Sequence, residues 1–425
     1  MSIAINSPSM YFMTKSTSSL FDKVMLFALV LLMSGLLFLS DDHRFGFAFI
    51  RELLGAISIF AFFYLLMFEK QTLNTIDFYL LMLALGTFFV PVLFSYFILG
   101  QPLYLGLTEE RRTFGYFFYF LALLVIGQRQ YAKADVEKIL LLLFGVGLFW
   151  SVACAYGWIP KNNAQFFSVN QEHFQEGYVT EDARFETRFL SGYFLMFLYP
   201  LYLLAKGSTA KSLMYFVPVA LYMFFVNQTR SLAGVLVITI LTLFVIRNKK
   251  PSLIVSLAFL APVVLFVAYF LCYLYAYVMN QPVFFYDEYR NLEFGVLFRD
   301  IVKDYFLPHG NLSLHFGDRG FREHFGIGIN VYTADIGFAG SLYKYGLFYP
   351  LLLGLNMLIS ILLYRKYSNE FSLMLLAYMV GTCVLLPFDD HLSNFANCLA
   401  ILLLLARVQT PDASVKKFLV VTRAA

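Results

Sequence analysis

The chain reads as an all-α, polytopic membrane protein, and three observations predict it. Hydrophobic residues fill 60% of its 425 positions, while charged residues make up 14%. The apolar residues gather in runs of about 20, long enough for a helix to cross the hydrocarbon core with its own backbone hydrogen bonds satisfied. The charges fall between those runs, where helices emerge into water.

Taken in order, the runs predict twelve spans, at 23–40, 46–68, 76–99, 113–127, 139–157, 189–205, 213–227, 231–246, 252–279, 336–364, 371–387 and 392–406. They divide the chain into a tail over 1–22, nine helices over 23–279 with a loop at 158–188, a large loop over 280–335, three helices over 336–406 and a tail over 407–425. Leu232–Ile246 and Leu392–Ala406 are short for a full crossing and are expected to borrow flanking residues or tilt little. Residues 1–20 are polar and rich in Ser and Thr, unlike a cleavable signal, so the first helix is expected to be retained.

Basic residues set the orientation, because short cytoplasmic loops accumulate Lys and Arg. Lys15 and Lys23, Lys206 and Lys211, Arg247 with Lys249 and Lys250, Arg365 and Lys366, and Arg407 with Lys416 and Lys417 fall in alternate connections. Those connections and both termini are expected inside, and the loops 158–188 and 280–335 outside. Glu109-Glu110-Arg111-Arg112 is the exception, since it puts two arginines on the outer side.

Other features narrow the function by exclusion. Cys154, Cys272, Cys383 and Cys398 lie inside apolar runs without metal-ligand spacing, which points to packing. The net charge of +4 is what basic inner loops produce and makes no case for nucleic acid. The 50 Phe and 29 Tyr suit helix packing and interfacial belts; the outer tyrosines Tyr273, Tyr275, Tyr277, Tyr286 and Tyr289 could also stack on sugar rings.

Chemistry is concentrated in the outer loops. An amphipathic helix opens the large loop, with Phe294, Leu297, Phe298, Ile301 and Tyr305 on one face and Arg299, Asp300 and Lys303 elsewhere, a pattern suited to the membrane surface. Beyond Pro308 the chain turns Gly-rich and carries His309, His315, Asp318, Arg319, Arg322 and His324, as a cap over the helix ends would. Arg184 and Arg188 precede the sixth span, Arg230 opens the eighth, and Arg290 follows the ninth. Arginine keeps its charge and grips phosphate oxygens bidentately, so these residues could converge on a diphosphate. The alternative is that each snorkels to lipid phosphates. Arg230 fits that alternative least, in a short turn on the side that positive charge avoids.

The order of these elements resembles a family. Arg188 to Gly192, Thr229 to Ser231, Arg290 to Phe306 and Gly326 to Gly346 are similar in sequence and order to the bacterial O-antigen polymerase and ligase superfamily, over roughly residues 180–365. The resemblance implies a glycosyltransferase of the inner membrane with its site facing the periplasm. Its substrate would be glycan linked to undecaprenyl diphosphate, and its working partners a chain-length regulator and a flippase. Polymerases of this kind, called Wzy-type, extend O-antigen, capsule or exopolysaccharide by repeat units; ligases pass the glycan to lipid A core. NVYTADIG, with Asp335 where the ligases carry an obvious His, favours the polymerase.

The reaction needs a clamp for the departing diphosphate, expected from Arg184, Arg188, Arg230, Arg290, Arg319 and Arg322, and a proton acceptor, for which His315, Asp335 and Glu186 are candidates. Each candidate has a plainer role open to it: His315 a bond within the loop, Asp335 a helix cap, Glu186 an arginine partner. A site rich in arginine predicts neither metal nor organic cofactor. The metal-dependent alternative rests on Asp41-Asp42-His43 and Asp389-Asp390-His391 at outer span ends. The rival classes are a flippase or other transporter and a non-catalytic envelope assembly protein. Transporters use ionisable groups and interrupted helices at the midplane, which the span centres almost lack.

Overall fold

The computed structural model describes residues 19–36, 50–127, 129–155, 193–223, 230–284, 288–313, 333, 336–384, 386 and 391–409. These form helices joined by turns. In chain order they are α1 (Leu20–Met33), α2 (Ile50–Phe68), α3 (Thr75–Leu99), α4 (Leu103–Glu109), α5 (Gly115–Ile126), α6 (Lys133–Ala155), α7 (Phe194–Ala205) and α8 (Thr209–Leu221). There follow α9 (Arg230–Ile246), α10 (Pro251–Val278), α11 (Glu288–Lys303), α12 (Gly337–Tyr345), α13 (Phe348–Tyr367), α14 (Glu370–Val384) and α15 (His391–Val408). A 3₁₀ stretch, Glu110–Phe114, links α4 to α5.

By length and composition, four described helices could cross a membrane: Thr75–Leu99, Lys133–Ala153, Ser252–Val278 and Phe348–Tyr367. Seven more apolar helices are shorter. The chain is therefore all-helical and membrane-associated among its described residues. Helices α5, α7 and α14 are buried nearly all round and form the centre with α15, as all-round apolar helices must. By contrast, α10 leaves most of its surface open, the expectation for a helix facing lipid. Helices α9 and α14 approach closely at Gly381, where an added Cβ would lie 2.4 Å from the Thr239 hydroxyl.

The sequence-predicted span 336–364 is not one helix. It breaks at Gly346, whose φ of +54° favours glycine, and the break is filled by the turn after α11. Leu347 N donates to Phe306 O at 3.1 Å, and a Cβ on Gly346 would sit 2.4 Å from that same oxygen.

The amphipathic helix forms as Glu288–Lys303, but two expectations about it fail. Its apolar face packs on protein rather than on the membrane surface: Phe294 meets Tyr273 and Phe298 meets Tyr277, each pair with ring centroids 5.2 Å apart. Tyr305 does not join that face. The helix ends at Lys303, Tyr305 turns left-handed at φ +54°, and its side chain is 84% exposed.

Polar contacts sort the connections into two ends. At the basic end, Lys23 pairs with Asp135 at 2.8 Å, Arg129 with Asp22 at 3.3 Å, Lys206 with Glu137 at 2.6 Å, and Lys133 with Glu370. Arg407 Nη1 donates to the fully buried Asp77 at 2.8 Å and to the Tyr119 hydroxyl at 3.0 Å, while Nη2 reaches Thr72 O. Hydrogen bonds from Ser19 and the charge of Arg129 hold the Asp22 carboxyl below its ordinary range. At the far end, 101–113 meets 304–313 and α12. Each of these contacts joins segments that the basic-residue pattern assigns to the same side.

Candidate functional site

The far-end cluster is built on the corner between α3 and α4. Gly100 closes α3 in the left-handed region, and the next residue, Gln101, is fully buried. Its side-chain oxygen accepts from Ser313 N at 2.6 Å, and its amide nitrogen donates to Asn311 O at 3.2 Å. Ser313 Oγ in turn donates to Glu109 Oε1 at 2.7 Å. The segment 309–313 is thereby pinned across the end of α3. Gly310, at φ +80°, fits there because a Cβ would lie 2.2 Å from Pro91 O.

The same segment caps α12. A helix end leaves carbonyls without partners, and His309 N and Gly310 N donate to Tyr343 O and Lys344 O at 2.9 and 3.2 Å. His309 is 2% exposed, and its ring lies parallel to that of Tyr343 with centroids 4.4 Å apart. Its Nε2 is 2.8 Å from Asp304 Oδ2. An ionised carboxylate only accepts, so it places the proton on Nε2 and leaves Nδ1, buried and without a hydrogen-bond partner among the described residues, with its lone pair. Backbone and ring stack hold one imidazole, and its Nε2–H in turn orients the part-exposed carboxylate of Asp304.

Beside it, Lys344 Nζ lies 2.8 Å from Glu110 Oε2, with both side chains almost wholly buried. Arg111 faces Glu52 at 3.7 Å. The charged run that breaks the topology pattern is thus partly neutralised by pairing inside the fold, which explains how it is tolerated at the far end.

The predicted site residues fare unevenly. Arg290 is half-buried in the first turn of α11. Arg230 opens α9, its side chain outside the described residues. Arg184, Glu186, Arg188, His315, Arg319, Arg322 and Asp335 also lie outside them, as do Asp41-Asp42-His43, Asp389 and Asp390. Among the six predicted arginines, Arg290 alone has its side chain within the described residues. Thr333, two residues before Asp335, donates to Asn311 Oδ1 at 3.1 Å, which ties that part of the loop to the cluster.

Sequence reasoning missed the Asp304–His309 and Glu110–Lys344 pairs. The second had a legible signal: a lysine inside an otherwise apolar run requires an anionic partner, and Glu109 and Glu110 stood on the same side. Compared with protein-family models, curated proteins and solved structures, the chain matches none of them.

Proposed function

We propose that this chain is a membrane glycosyltransferase of the Wzy polymerase type. It sits in the bacterial inner membrane with its basic end in the cytoplasm and its far end in the periplasm. There it joins glycan carried on undecaprenyl diphosphate to a new lipid-linked repeat unit, building O-antigen, capsule or exopolysaccharide. The observation that carries this reading is the oriented Asp304–His309 pair, held where the large loop docks on the helix ends opposite the basic end. In the reaction an acceptor hydroxyl oxygen bonds to the anomeric carbon as the bond from that carbon to the diphosphate breaks. The diphosphate leaves with the electron pair, steadied by arginines such as Arg230 and Arg290, and the hydroxyl proton passes to the part-exposed carboxylate of Asp304, which His309 Nε2–H orients.

The break at Gly346 and the buried Glu110–Lys344 pair favour a second reading, a transporter of the same lipid-linked glycan, since interrupted helices and interior charges mark substrate paths. One experiment separates them. Purified protein in lipid is given undecaprenyl-diphosphate-linked repeat units and scored for ladders of longer glycan. Ladders support the polymerase, transfer only to lipid A core makes it a ligase, and movement between leaflets without extension sinks the enzymatic reading.

A further inference from the structure

The basic end binds most of its own carboxylates to its own cations, and one corner gathers lysines outside those pairs. Asp22, Asp77, Asp135, Glu137 and Glu370 are each paired with Arg129, Arg407, Lys23, Lys206 and Lys133 respectively. At the corner where the α7–α8 and α9–α10 turns meet, no carboxylate pairs with Lys211, Lys249 or Lys250 among the described residues, and all three are exposed.

Arg247 ties the two turns together. Its Nη1 donates to Thr209 Oγ1 at 2.9 Å and Leu204 O at 3.4 Å, and its guanidinium lies 5.0 Å from the Phe244 ring centroid. Lys211 lies two residues beyond Thr209, and Lys249 and Lys250 follow two and three residues after Arg247, so three lysines gather around one fixed guanidinium. The helix starts differ as well. At the same end, α1, α3 and α14 are capped by their own side chains, through Ser19 with Asp22, Asn74 with Asp77, and Asn369 with Ser372. Helices α8 and α10 have no side-chain cap at Ser208 or Lys250, leaving their first amides facing the cations' side of the bundle.

What adjoins this positive corner is apolar. Leu213, Met214 and Val217 of α8, Val245 of α9, and Leu253 and Leu257 of α10 are exposed one to two turns from it. A free anion has no use for such a surface, and an acidic soluble partner would leave it uncovered. We infer that this corner is a binding site for an anionic phospholipid, with the headgroup phosphodiester among Lys211, Arg247, Lys249 and Lys250 and the acyl chains along the apolar faces below. The site is independent of the glycosyltransferase reading.

The test uses the full chain purified in neutral detergent. Its thermal midpoint and its retained lipids, counted by native mass spectrometry, are compared with phosphatidylglycerol, phosphatidylcholine or inorganic phosphate added. Phosphatidylglycerol alone is expected to bind and raise the midpoint. The triple variant Lys211→Gln/Lys249→Gln/Lys250→Gln should weaken that binding by about a hundredfold, since each lysine near an anionic surface contributes about tenfold or less. The control Arg365→Gln/Lys366→Gln, altered at another exposed basic helix end, should bind as the native chain does. Native-like binding by the triple variant, an equal loss in the control, or an equal effect of inorganic phosphate would each overturn the site.

Discussion

Lys344 and Glu110 form an ion pair at 2.8 Å in the interior of the far end, joining the last turn of α12 to the 3₁₀ stretch that follows α4. Breaking a buried pair leaves one charge without compensation. Lys344→Ala or Glu110→Ala alone is therefore expected to cost about 3–5 kcal/mol, and the apolar double variant Lys344→Met/Glu110→Leu to recover most of it. Thermal melts in detergent decide the point. Single variants as stable as the native chain would show that the pair is not held in the fold as described.

The Asp304–His309 pair is expected to serve the chemical step. Asp304→Asn should reduce glycan extension by about 10²- to 10⁴-fold with the protein still accumulating, and His309→Gln should reduce it less, by loosening the carboxylate. Single-turnover assays across pH separate this from a structural role, because loss of a proton acceptor removes the acidic limb of the rate profile. Native activity in Asp304→Asn would return the role to His315, Asp335 or Glu186.

Arg230 and Arg290 are expected to act on the leaving diphosphate. A transition-state bond from a charged group is worth about 3–4 kcal/mol, so either alanine variant should extend glycan several hundredfold more slowly. Lysine should rescue poorly, as it keeps the charge without the planar fork. Chelating agents should leave extension unchanged. Activity lost on chelation and restored by Mg²⁺ would instead implicate the Asp41-Asp42-His43 segment.

Sidedness is testable by cysteine labelling, with probes chosen from the structure. Ser313 faces Gln101 and Glu109 and is fully buried, so it would resist reagent on either side. Gln281 and Asn248 are exposed at opposite ends of α10. In a Cys272→Ser background, Gln281→Cys should react with an impermeant reagent in intact cells lacking an outer barrier, and Asn248→Cys only after lysis. The reverse pattern would overturn both the orientation and the functional reading built on it.

Apolar run length by itself determined where most helices lie. Among the described residues, eleven of the twelve predicted spans each coincide with one helix, from α1 at Leu20–Met33 to α15 at His391–Val408, because hydrophobicity over about 20 residues is a local property of the chain. The alternation of basic residues likewise anticipated which connections meet, as the Lys23–Asp135 and Arg407–Asp77 pairs illustrate. Tertiary structure decided the rest. The interruption of the run at Gly346 depends on Phe306, 40 positions earlier, pressing its carbonyl into the gap. Tyr305 leaves its helical face for a turn that the same docking imposes. Glu110 with Lys344, and His309 with Tyr343, are partners far apart in sequence, and no periodicity records them; burial made each pairing necessary, and only the packing of α3, α4, α11 and α12 determined which groups would meet.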